Sequence, residues 1–391
     1  MKIGFIGNLP AAAVMPDEAL RPSRRGGQHP APWIVALLPA LARLSGFRLR
    51  VFLPQRVVIK HTVVEHDGVE YEGIPHPFPE RWNSHVLHYS KNFALGSAVR
   101  DFDPDVVHAF GMENGSATVA LRTGFPVSCF IQGIAEKLEP YYKQRGFVRK
   151  KVAVMGERSA VKRLRWMVAE TEFARSWALG HNPEAHVALI PHPLRGQFLE
   201  QANPCGDKRV ISVGGLDDRK GMDTIIRAFA KVGDDDSRLA IVGGGPLLND
   251  LKALSESLGL GGRVEFTGAI PSEEVLEQLN RSSVYVIASR MDTSPNVVTE
   301  AHAVGLPVIG TRAGGIPEMI DEGIDGHHVD VDDVDAMSAR MSELIKDPER
   351  ARNMGKAGRE KVKTLNDPER IAEAHVEFFE KVREDLKRES R

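Results

Sequence analysis

Residues 210–229 read VISVGGLDDRKGMDTIIRAF, and they carry the main evidence on the fold class. The stretch begins with a largely β-branched run and passes through two glycines and a polar loop. After Lys220-Gly221 it continues with apolar residues at helical spacing. The run predicts a buried strand, and the spacing predicts an amphipathic helix. A strand, a glycine turn and a helix in this order are typical of a parallel α/β sheet.

The same rhythm continues in both directions from this stretch. It predicts strands at 3–6, 48–53, 105–108, 127–131, 166–169, 187–190, 239–242, 264–266, 284–287 and 307–310. A hairpin is predicted around Asp67-Gly68, and helices are predicted to open at Pro246 and at a Ser272 N-cap. The pattern predicts an α/β fold with two Rossmann-like, doubly wound parallel-sheet domains.

A polar, proline-containing break at 191–207 separates the two halves of the pattern. We predict an N-terminal domain at 1–195, a C-terminal domain at 196–370, and a last helix at 371–391 that packs back on the N-terminal domain. Ligands of such sheets bind at the carboxyl ends of the strands, so we expect a site in an interdomain crevice.

Composition narrows the class of protein. Fifty-one basic and 53 acidic residues give a formal net charge of −2, which gives no reason to expect a nucleic-acid partner. Cys129 and Cys205 are too few for a disulfide framework or a zinc site and predict reduced thiols. Residues 1–7 read as a strand and not as a signal peptide, and the most apolar helix is too short to span a bilayer. We therefore expect a cytoplasmic protein, at most peripheral at the inner face of the membrane.

Two glycine turns are candidate anion sites. In the loop at 214–221, glycines allow a ligand to approach the backbone, and Lys220 is placed to meet a diphosphate as a point charge. A tight turn with a solvated lysine is an equally good interpretation of this motif alone. Gly243, Gly244 and Gly245 end a strand before a helix and form either a nucleotide-edge site or a turn that needs positive φ.

The segment from Asp292 to Glu300 is the most specific feature. It holds two carboxylates eight residues apart, the first in a loop after a strand and the second inside the following helix. Asn296 or Ser294 can cap that helix, whose free N–H groups favour a phosphate. A carboxylate there can accept hydrogen bonds from a ribose diol. The alternative is that Glu300 is a surface residue of an ordinary helix.

These stretches, in this order, resemble the C-terminal domain of the retaining glycosyltransferases of family 4, which have the two-domain GT-B fold. The segments Ala301–Val308 and Gly314–Glu318 match further parts of the family pattern. In the first half, Gly26-Gly27 before a helix and Asp105–His108 also look like features of this family.

The resemblance implies an acceptor-side N-terminal domain and a donor-side C-terminal domain. It implies that Lys220 binds the donor diphosphate, Glu300 the ribose hydroxyls, and Asp292 the transferred sugar. His108, Asp292 and Lys220 are the predicted catalytic residues. The predicted donor-binding residues are Gly26, Gly27, Gly214, Gly215, Arg219, Lys220, Gly243, Gly244, Thr293, Ser294, Asn296, Val297 and Glu300.

The sequence departs from the family pattern at several positions. Gly215 replaces an arginine, and Asp292 replaces the first of two glutamates. In the N-terminal half, Phe110 replaces the second histidine of a His-x-His motif, and Gln132 stands where a histidine often ends the next strand. His192 stands in the interdomain turn where asparagine is usual. The departures alter the N-terminal side more than the donor side.

Three lesser features have competing interpretations. The segment 143–165 holds nine basic residues and a single acid, Glu157. It predicts either a surface for anionic lipid or a solvated basic helix. His327 and His328 lack a third clustered ligand, so we interpret them as structural and expect no metal site. His108 is either functional or a packed core histidine.

The predicted function is transfer of a sugar, with retention, from a nucleoside-diphosphate sugar to an acceptor hydroxyl in polysaccharide, glycolipid or glycoconjugate synthesis. The acceptor is a carbohydrate, a lipid-linked molecule or a small molecule, and no cofactor or metal is expected. Alternatives are a nucleotide-sugar epimerase or hydrolase on the same fold, and a non-catalytic nucleotide-sugar-binding subunit. A dehydrogenase is disfavoured because neither half opens with a complete Gly-x-Gly-x-x-Gly motif.

Overall fold

The computed structural model describes residues 1–389 except 8, 10, 12–13, 22–32, 45, 77–88, 113–114, 142–146 and 201–207. Two predicted site residues, Gly26 and Gly27, and the second cysteine, Cys205, lie outside the described residues. The chain divides into two compact units, Met1–Pro193 with Pro368–Arg391, and Leu194–Asp367.

The first unit is built on an eight-stranded sheet of order β3-β4-β2-β1-β5-β6-β7-β8. Its strands are β1 (Lys2–Ile6), β2 (Arg48–Gln55), β3 (Thr62–His66), β4 (Val69–Pro75), β5 (Val106–Phe110), β6 (Val127–Phe130), β7 (Trp166–Ala169) and β8 (His186–Leu189). Only the edge pair β3–β4 is antiparallel among these pairings, and its turn is the predicted Asp67-Gly68. The helices are α1 (Ile34–Arg43), α2 (Tyr89–Phe102), α3 (Ser116–Ala120), α4 (Ala135–Leu138), α5 (Phe147–Val161) and α6 (Glu172–His181).

The second unit is a six-stranded, wholly parallel sheet of order β11-β10-β9-β12-β13-β14. Its strands are β9 (Arg209–Val213), β10 (Arg238–Val242), β11 (Val264–Gly268), β12 (Val284–Ile287), β13 (Val308–Thr311) and β14 (Gly326–Val329). Its helices are α7 (Gly196–Glu200), α8 (Met222–Ala230), α9 (Leu248–Ser257), α10 (Ser272–Asn280), α11 (Asn296–Ala303), α12 (Ile316–Met319), α13 (Val334–Lys346) and α14 (Pro348–Leu365). This is the Rossmann strand order, so the predicted fold class is confirmed.

The opening stretch of the sequence forms β9 and α8 as predicted. Ile225, Ile226 and Phe229 of α8 are fully buried against the sheet. Each such side chain contributes about 1.5–3 kcal/mol through burial. Helix α14 begins with Pro348 in its first turn, and the carboxylate of Asp347 accepts a hydrogen bond from the backbone N–H of Arg350 at 3.0 Å.

One predicted helix cap and one predicted helix start were wrong. Helix α10 begins at Ser272, but the Ser272 hydroxyl does not cap it. That hydroxyl instead accepts hydrogen bonds from the side chains of Arg195 and Gln197. Helix α9 begins at Leu248 and not at Pro246. Leu247 is its N-cap, and the backbone N–H of Leu247, which has no partner within the helix, donates to the Leu216 carbonyl.

The last helix, α15 (Pro368–Glu389), belongs to the first unit. Its apolar face, which includes Ile371, Phe378 and Phe379, packs in one core with residues of α1. The side chain of Asp385 accepts hydrogen bonds from Arg165 and from the Trp166 indole, both at 3.0 Å. Of the helices that the structure describes, none combines the length and the apolar character needed to cross a membrane.

Candidate functional site

The strand order of the second unit creates a switch point between β9 and β12. The chain leaves β9 toward one side of the sheet and β12 toward the other, and ligands of such sheets bind at the carboxyl ends of these strands. The loop after β9 carries Arg219 and Lys220, and the loop after β12 carries Asp292. In the structure, Lys220 Nζ donates to Asp292 Oδ2 at 2.6 Å, and an Arg219 guanidinium nitrogen donates to the same oxygen at 3.0 Å.

Asp292 is therefore the centre of a small, largely buried charge cluster. Its side chain is 14% exposed, that of Lys220 13% and that of Arg219 19%. Burial by itself raises the pKa of the Asp292 carboxyl, but the charges of Lys220 and Arg219 outweigh it and hold that pKa below its ordinary value. Two cations meet one carboxylate, so the cluster keeps a net positive charge suited to an anionic ligand.

Local backbone geometry explains why this loop presents Lys220 and Arg219. The side chain of Asp217 accepts hydrogen bonds from the backbone N–H groups of both residues, at 3.3 and 3.0 Å. Gly221 then has φ of +61°, and a Cβ there would lie closer than 3.0 Å to the Ala288 carbonyl oxygen at the end of β12. The Lys-Gly pair thus lets the β9 loop lie directly against β12.

The second glycine turn packs against the first. A Cβ at Gly243 would clash with the Gly214 carbonyl oxygen, and Gly243 has φ of +142°. A Cβ added at Gly214 would lie 3.5 Å from the Lys220 stem. Gly244 is exposed and lies beside Ala269. These contacts explain the glycines through backbone packing, and the structure brings the turns at 214 and 243 side by side.

The carboxylate of Glu300 lies at the same end of the sheet. The Tyr285 hydroxyl donates at 3.4 Å to the backbone carbonyl of Val213, which is the last residue of β9. Burial raises the pKa of Tyr285 far above its ordinary value, and the negative charges of Glu300 and Asp292 raise it further. Glu300 is only 7% exposed, so its interpretation as a surface helix residue is wrong.

The N-terminus of α11 differs from the prediction. The helix begins at Asn296 after Pro295, and neither Asn296 nor Ser294 caps it through its side chain. The Ser294 hydroxyl is instead 3.8 Å from the Met319 sulfur. The backbone N–H of Thr293 donates to Asp292 Oδ1 at 3.1 Å, and Val297 is half-buried in the first turn.

Sequence reasoning missed two arginines, Arg195, which donates to Glu300 at 2.8 Å, and Arg290. Arg290 hydrogen-bonds to Asp223 and Asp332 and donates to the Asp218 carbonyl at 2.6 Å. Burial by itself lowers the pKa of Arg290, but the hydrogen bonds to Asp332 and Asp223 raise it above its ordinary value. Arg290 therefore ties three loops at the carboxyl end of the sheet. The signal in the sequence was its position, three residues after the predicted strand at 284–287 and two residues before Asp292.

In the first unit, the predicted catalytic residue His108 is fully buried in β5. Its Nδ1 shares a hydrogen bond of 2.8 Å with the Ser128 hydroxyl, and its ring packs edge-on against Phe110 and Phe379. Burial lowers the pKa of His108 well below its ordinary value, and His375 lowers it further. Phe110 is also core, stacked on Phe5 at 5.2 Å. This geometry favours the packed-histidine interpretation.

The basic segment includes α5 (Phe147–Val161), and part of its charge is paired. Arg158 contacts Glu136 at 2.8 Å, and Lys151 contacts Glu139 at 3.2 Å. The carboxylate of Glu157, the one acid of the segment, accepts hydrogen bonds from the first two backbone N–H groups of α4. Met155 is 68% exposed on the same helix.

Two further histidines singled out by the sequence pair with carboxylates. His327 Nδ1 lies 2.8 Å from Glu322, and His192 Nδ1 lies 2.7 Å from Glu170. Across the part of the chain that the structure describes, no group of three His, Cys, Asp or Glu side chains is arranged to hold a metal ion.

Two family models match the chain, one for each half. The model described as "Glycosyl transferases group 1" matches residues 197–361, and the "Glycosyl transferase 4-like domain" matches residues 30–193. The chain belongs to glycosyltransferase family 4. Its fold is the GT-B fold, and the predicted resemblance is confirmed.

Two curated relatives of this family match about half of the chain. A GDP-mannose-dependent alpha-(1-6)-phosphatidylinositol monomannoside mannosyltransferase of Mycolicibacterium smegmatis is 36% identical over 199 residues, 48% of this chain and 52% of that protein. N-acetyl-alpha-D-glucosaminyl L-malate synthase of Bacillus anthracis is 33% identical over 46% of this chain and 47% of its own length. The chain thus spans about half the length of these relatives.

Solved glycosyltransferase structures match nearly the whole chain. Sucrose-phosphate synthase from Thermosynechococcus elongatus has a TM-score of 0.80 at 20% identity and covers 98% of this chain, with 99% of its own chain covered. Anabaena HepE in complex with UDP-glucose has a TM-score of 0.73 at 14% identity, covering 97% of this chain and 100% of its own. At these identities the matches establish the fold.

Proposed function

We propose that the protein transfers a sugar from a nucleoside-diphosphate sugar to an acceptor hydroxyl, with retention of the anomeric configuration. The observation that carries the proposal is the convergence of Lys220 and Arg219 on Asp292 at the switch point of a Rossmann sheet. In this proposal the two cations stabilise the departing diphosphate. Asp292, already held between them, contacts and orients the sugar.

The fixed cations also bear on the need for a metal. A diphosphate that develops negative charge needs positive groups within a few ångströms, and Lys220, Arg219 and the N-terminus of α11 supply them from the protein. We therefore propose that donor binding needs no divalent metal. The acceptor is a carbohydrate, a lipid-linked molecule or a small molecule.

The names of the relatives suggest which bases to test. One relative is called GDP-mannose-dependent, and a structural neighbour was solved with UDP-glucose. We would measure thermal shifts with GDP, UDP, ADP and NAD, with and without magnesium. A ligand at one hundred times its Kd adds about 2.7 kcal/mol to the free energy of unfolding. We expect one nucleoside diphosphate to raise Tm equally with and without magnesium.

The same panel on Lys220→Ala tests the site. Loss of a charge-assisted contact to the diphosphate should weaken its binding by about tenfold or more. Lys208→Ala is the control, because Lys208 forms a comparable ion pair with Asp234 at 2.7 Å outside this cluster. Equal affinity in Lys220→Ala and in the wild type would overturn the diphosphate assignment.

A second candidate function is a non-catalytic nucleotide-sugar-binding subunit. The observation in its favour is the burial of both His108 and Phe110 in the core of the first unit. Incubation with the preferred nucleotide-sugar, with and without acceptors, separates the possibilities. Sugar transfer supports the first proposal, free sugar or an epimer indicates hydrolysis or epimerisation, and binding without any product supports the subunit.

We also propose that α5 contacts anionic lipid. The basic side chains of Lys162 and Arg163 are exposed just after this helix, and Met155 offers an apolar contact. Such a surface suits a lipid-linked acceptor.

A further inference from the structure

We propose that Arg195 is a positioning residue that orients the Glu300 carboxylate for the ribose diol of the donor, and so makes donor affinity depend on the 2′-hydroxyl. The inference rests on the proposed function, because it assumes that Glu300 meets a nucleotide ribose. Arg195 lies outside the segments that match the family pattern.

The guanidinium of Arg195 is held on several sides. One terminal nitrogen donates to Glu300 Oε1 at 2.8 Å, and the other donates to the Ser272 hydroxyl. Its plane lies over the Phe198 ring, with the central carbon 4.7 Å from the ring centroid. Gln197 also donates to the Ser272 hydroxyl, at 3.3 Å. A planar fork fixed in this way has one orientation, and it transmits that orientation to the carboxylate.

Burial makes this contact matter. The side chain of Arg195 is 20% exposed and that of Glu300 is 9% exposed. Glu300 is the fifth residue of α11, on a helix whose neighbouring residues Thr299 and Ala301 are also buried. A carboxylate this deep is destabilising without a counter-charge, and Arg195 supplies one.

The arrangement still suits a diol. A carboxylate offers about four acceptor positions, and an Arg195 N–H donates to Glu300 Oε1. With the carboxylate held, its oxygens point in fixed directions, and a pair of ribose hydroxyls can donate to them without reorganising the site. Without Arg195 the carboxylate can rotate, and its oxygens are then less well aligned to accept hydrogen bonds from the two hydroxyls. The expected signature is discrimination between ribose and 2′-deoxyribose.

We would test this by titration calorimetry with GDP, 2′-deoxy-GDP, UDP and 2′-deoxy-UDP. For the base that the wild type prefers, we expect the 2′-deoxy ligand to bind about tenfold more weakly, since it leaves a buried acceptor short of one donor. In Arg195→Ala that ratio should fall below about threefold, mainly through weaker binding of the ribose ligand. Arg195→Lys should give an intermediate ratio, because it keeps the charge but loses the fork.

The chain offers a matched control. Arg263 has a side chain that is also 20% exposed, pairs with Asp235 at 3.0 Å and lies over the Phe229 ring at 5.3 Å. Arg263→Ala therefore removes an arginine of equal exposure, its ring contact and its ion pair, here with a fully exposed carboxylate, elsewhere in the same unit. It should keep the wild-type ratio. Ser272→Ala removes only the second anchor of Arg195, and it provides a milder variant if Arg195→Ala does not fold.

The outcomes separate this inference from the proposed function. A wild-type ratio in both Arg195→Ala and Ser272→Ala would mean that Arg195 is only structural. Equal binding of ribose and 2′-deoxyribose ligands by the wild type would show that Glu300 does not bind the ribose diol. This result would overturn the inference as well. If none of GDP, UDP and ADP binds the wild type, the proposed function itself fails.

Discussion

Asp292 illustrates how a single residue can connect two loops. Its side chain contacts Lys220 and Arg219 from the β9 loop, and its carbonyl accepts a hydrogen bond from the Gly315 N–H of the β13 loop at 3.0 Å. The side chain of this shorter acid reaches both cations, and its backbone carbonyl joins the third loop. Its carboxylate holds the two cations close together, so that, in the proposed function, a diphosphate meets them already oriented.

Gly215 is the residue at which the donor site can be strengthened. The position is exposed, and a Cβ there would meet only the Asp217 carboxylate, at 3.7 Å. Gly215→Arg should therefore fit, and it should restore the cation that the family pattern has there. We expect the preferred nucleoside diphosphate to bind about tenfold more tightly, as measured by titration calorimetry. Gly215→Gln controls for side-chain size, and equal affinities of the two variants would argue against a cation role at this position.

At the scale of the elements, the turn between β9 and α8 depends on contact with the neighbouring strand. Gly221 takes a left-handed conformation and approaches the Ala288 carbonyl. This contact brings the cations of one loop to the carboxylate of the other. The stability of the turn and the geometry of the site are thus coupled.

Gly221→Ala should lower the free energy of unfolding by about 2–4 kcal/mol, because the left-handed conformation and the clash with Ala288 both add to the cost. Gly259→Ala is the control, since Gly259 has φ of +67° but no atom lies within 4 Å of an added Cβ. Its cost should be about 1 kcal/mol. Urea denaturation of both variants measures the difference, and equal losses would show that the close approach is not important.

Helix α15 carries a buried titratable group. His375 is fully buried, and its Nδ1–H donates to the Ile371 carbonyl at 2.9 Å. Burial lowers the pKa of His375 to about 4, against a partial opposing effect of that hydrogen bond. A neutral histidine in the fold thus competes with a protonated one in the unfolded chain whenever the pH lies between these two pKa values.

The free energy of unfolding should therefore fall as the pH decreases from about 6.5 toward 4, because the unfolded chain binds the proton first. His375 contributes about 2 kcal/mol to this loss between pH 7 and pH 4.5. Urea denaturation at both pH values should show a smaller loss for His375→Leu, although this variant is less stable at pH 7. His186→Gln, at an exposed position, should keep the wild-type loss. An unchanged pH dependence in His375→Leu would contradict the assignment.

At the scale of the whole molecule, the near-zero net charge conceals an uneven distribution. The chain has a formal charge of −2, yet nine basic residues lie within 143–165. Local ion pairs with Glu136 and Glu139 use part of that charge at the described positions of α5. Membrane attraction depends on the local excess and not on the total, so the exposed remainder decides whether the surface binds lipid.

We expect the protein to pellet with vesicles that contain phosphatidylglycerol at low salt and to be released as salt increases. The double charge reversal Lys162→Glu/Arg163→Glu should weaken this binding at least about tenfold, at roughly 1 kcal/mol per basic residue. Arg352→Glu/Lys356→Glu on the exposed face of α14 is the control and should behave as the wild type. Binding that is unaffected by the first pair, or no binding by the wild type, would contradict the proposal.

The sequence by itself determined the sheets, the order of the glycine turns and the residue types of the proposed donor site. Local signals suffice for these, because hydrophobic period and turn chemistry act within a few residues. Immediate neighbours were enough to predict the strand at 210–213. They were also enough to place Lys220-Gly221 and Asp292 in loops that follow strands. The family followed from the order of these motifs.

Only the tertiary structure decided which side chains meet. The pairing of Lys220 with Asp292, the anchoring of Glu300 by Arg195, and the use of Ser272 as an acceptor instead of a cap each join residues more than 70 positions apart. Contacts at that separation depend on strand order and packing, which no local pattern encodes. For the same reason His108 was predicted to be catalytic from its place at a strand end. Its burial among Phe110, Phe379 and His375 depends on a helix more than 250 residues away in the sequence.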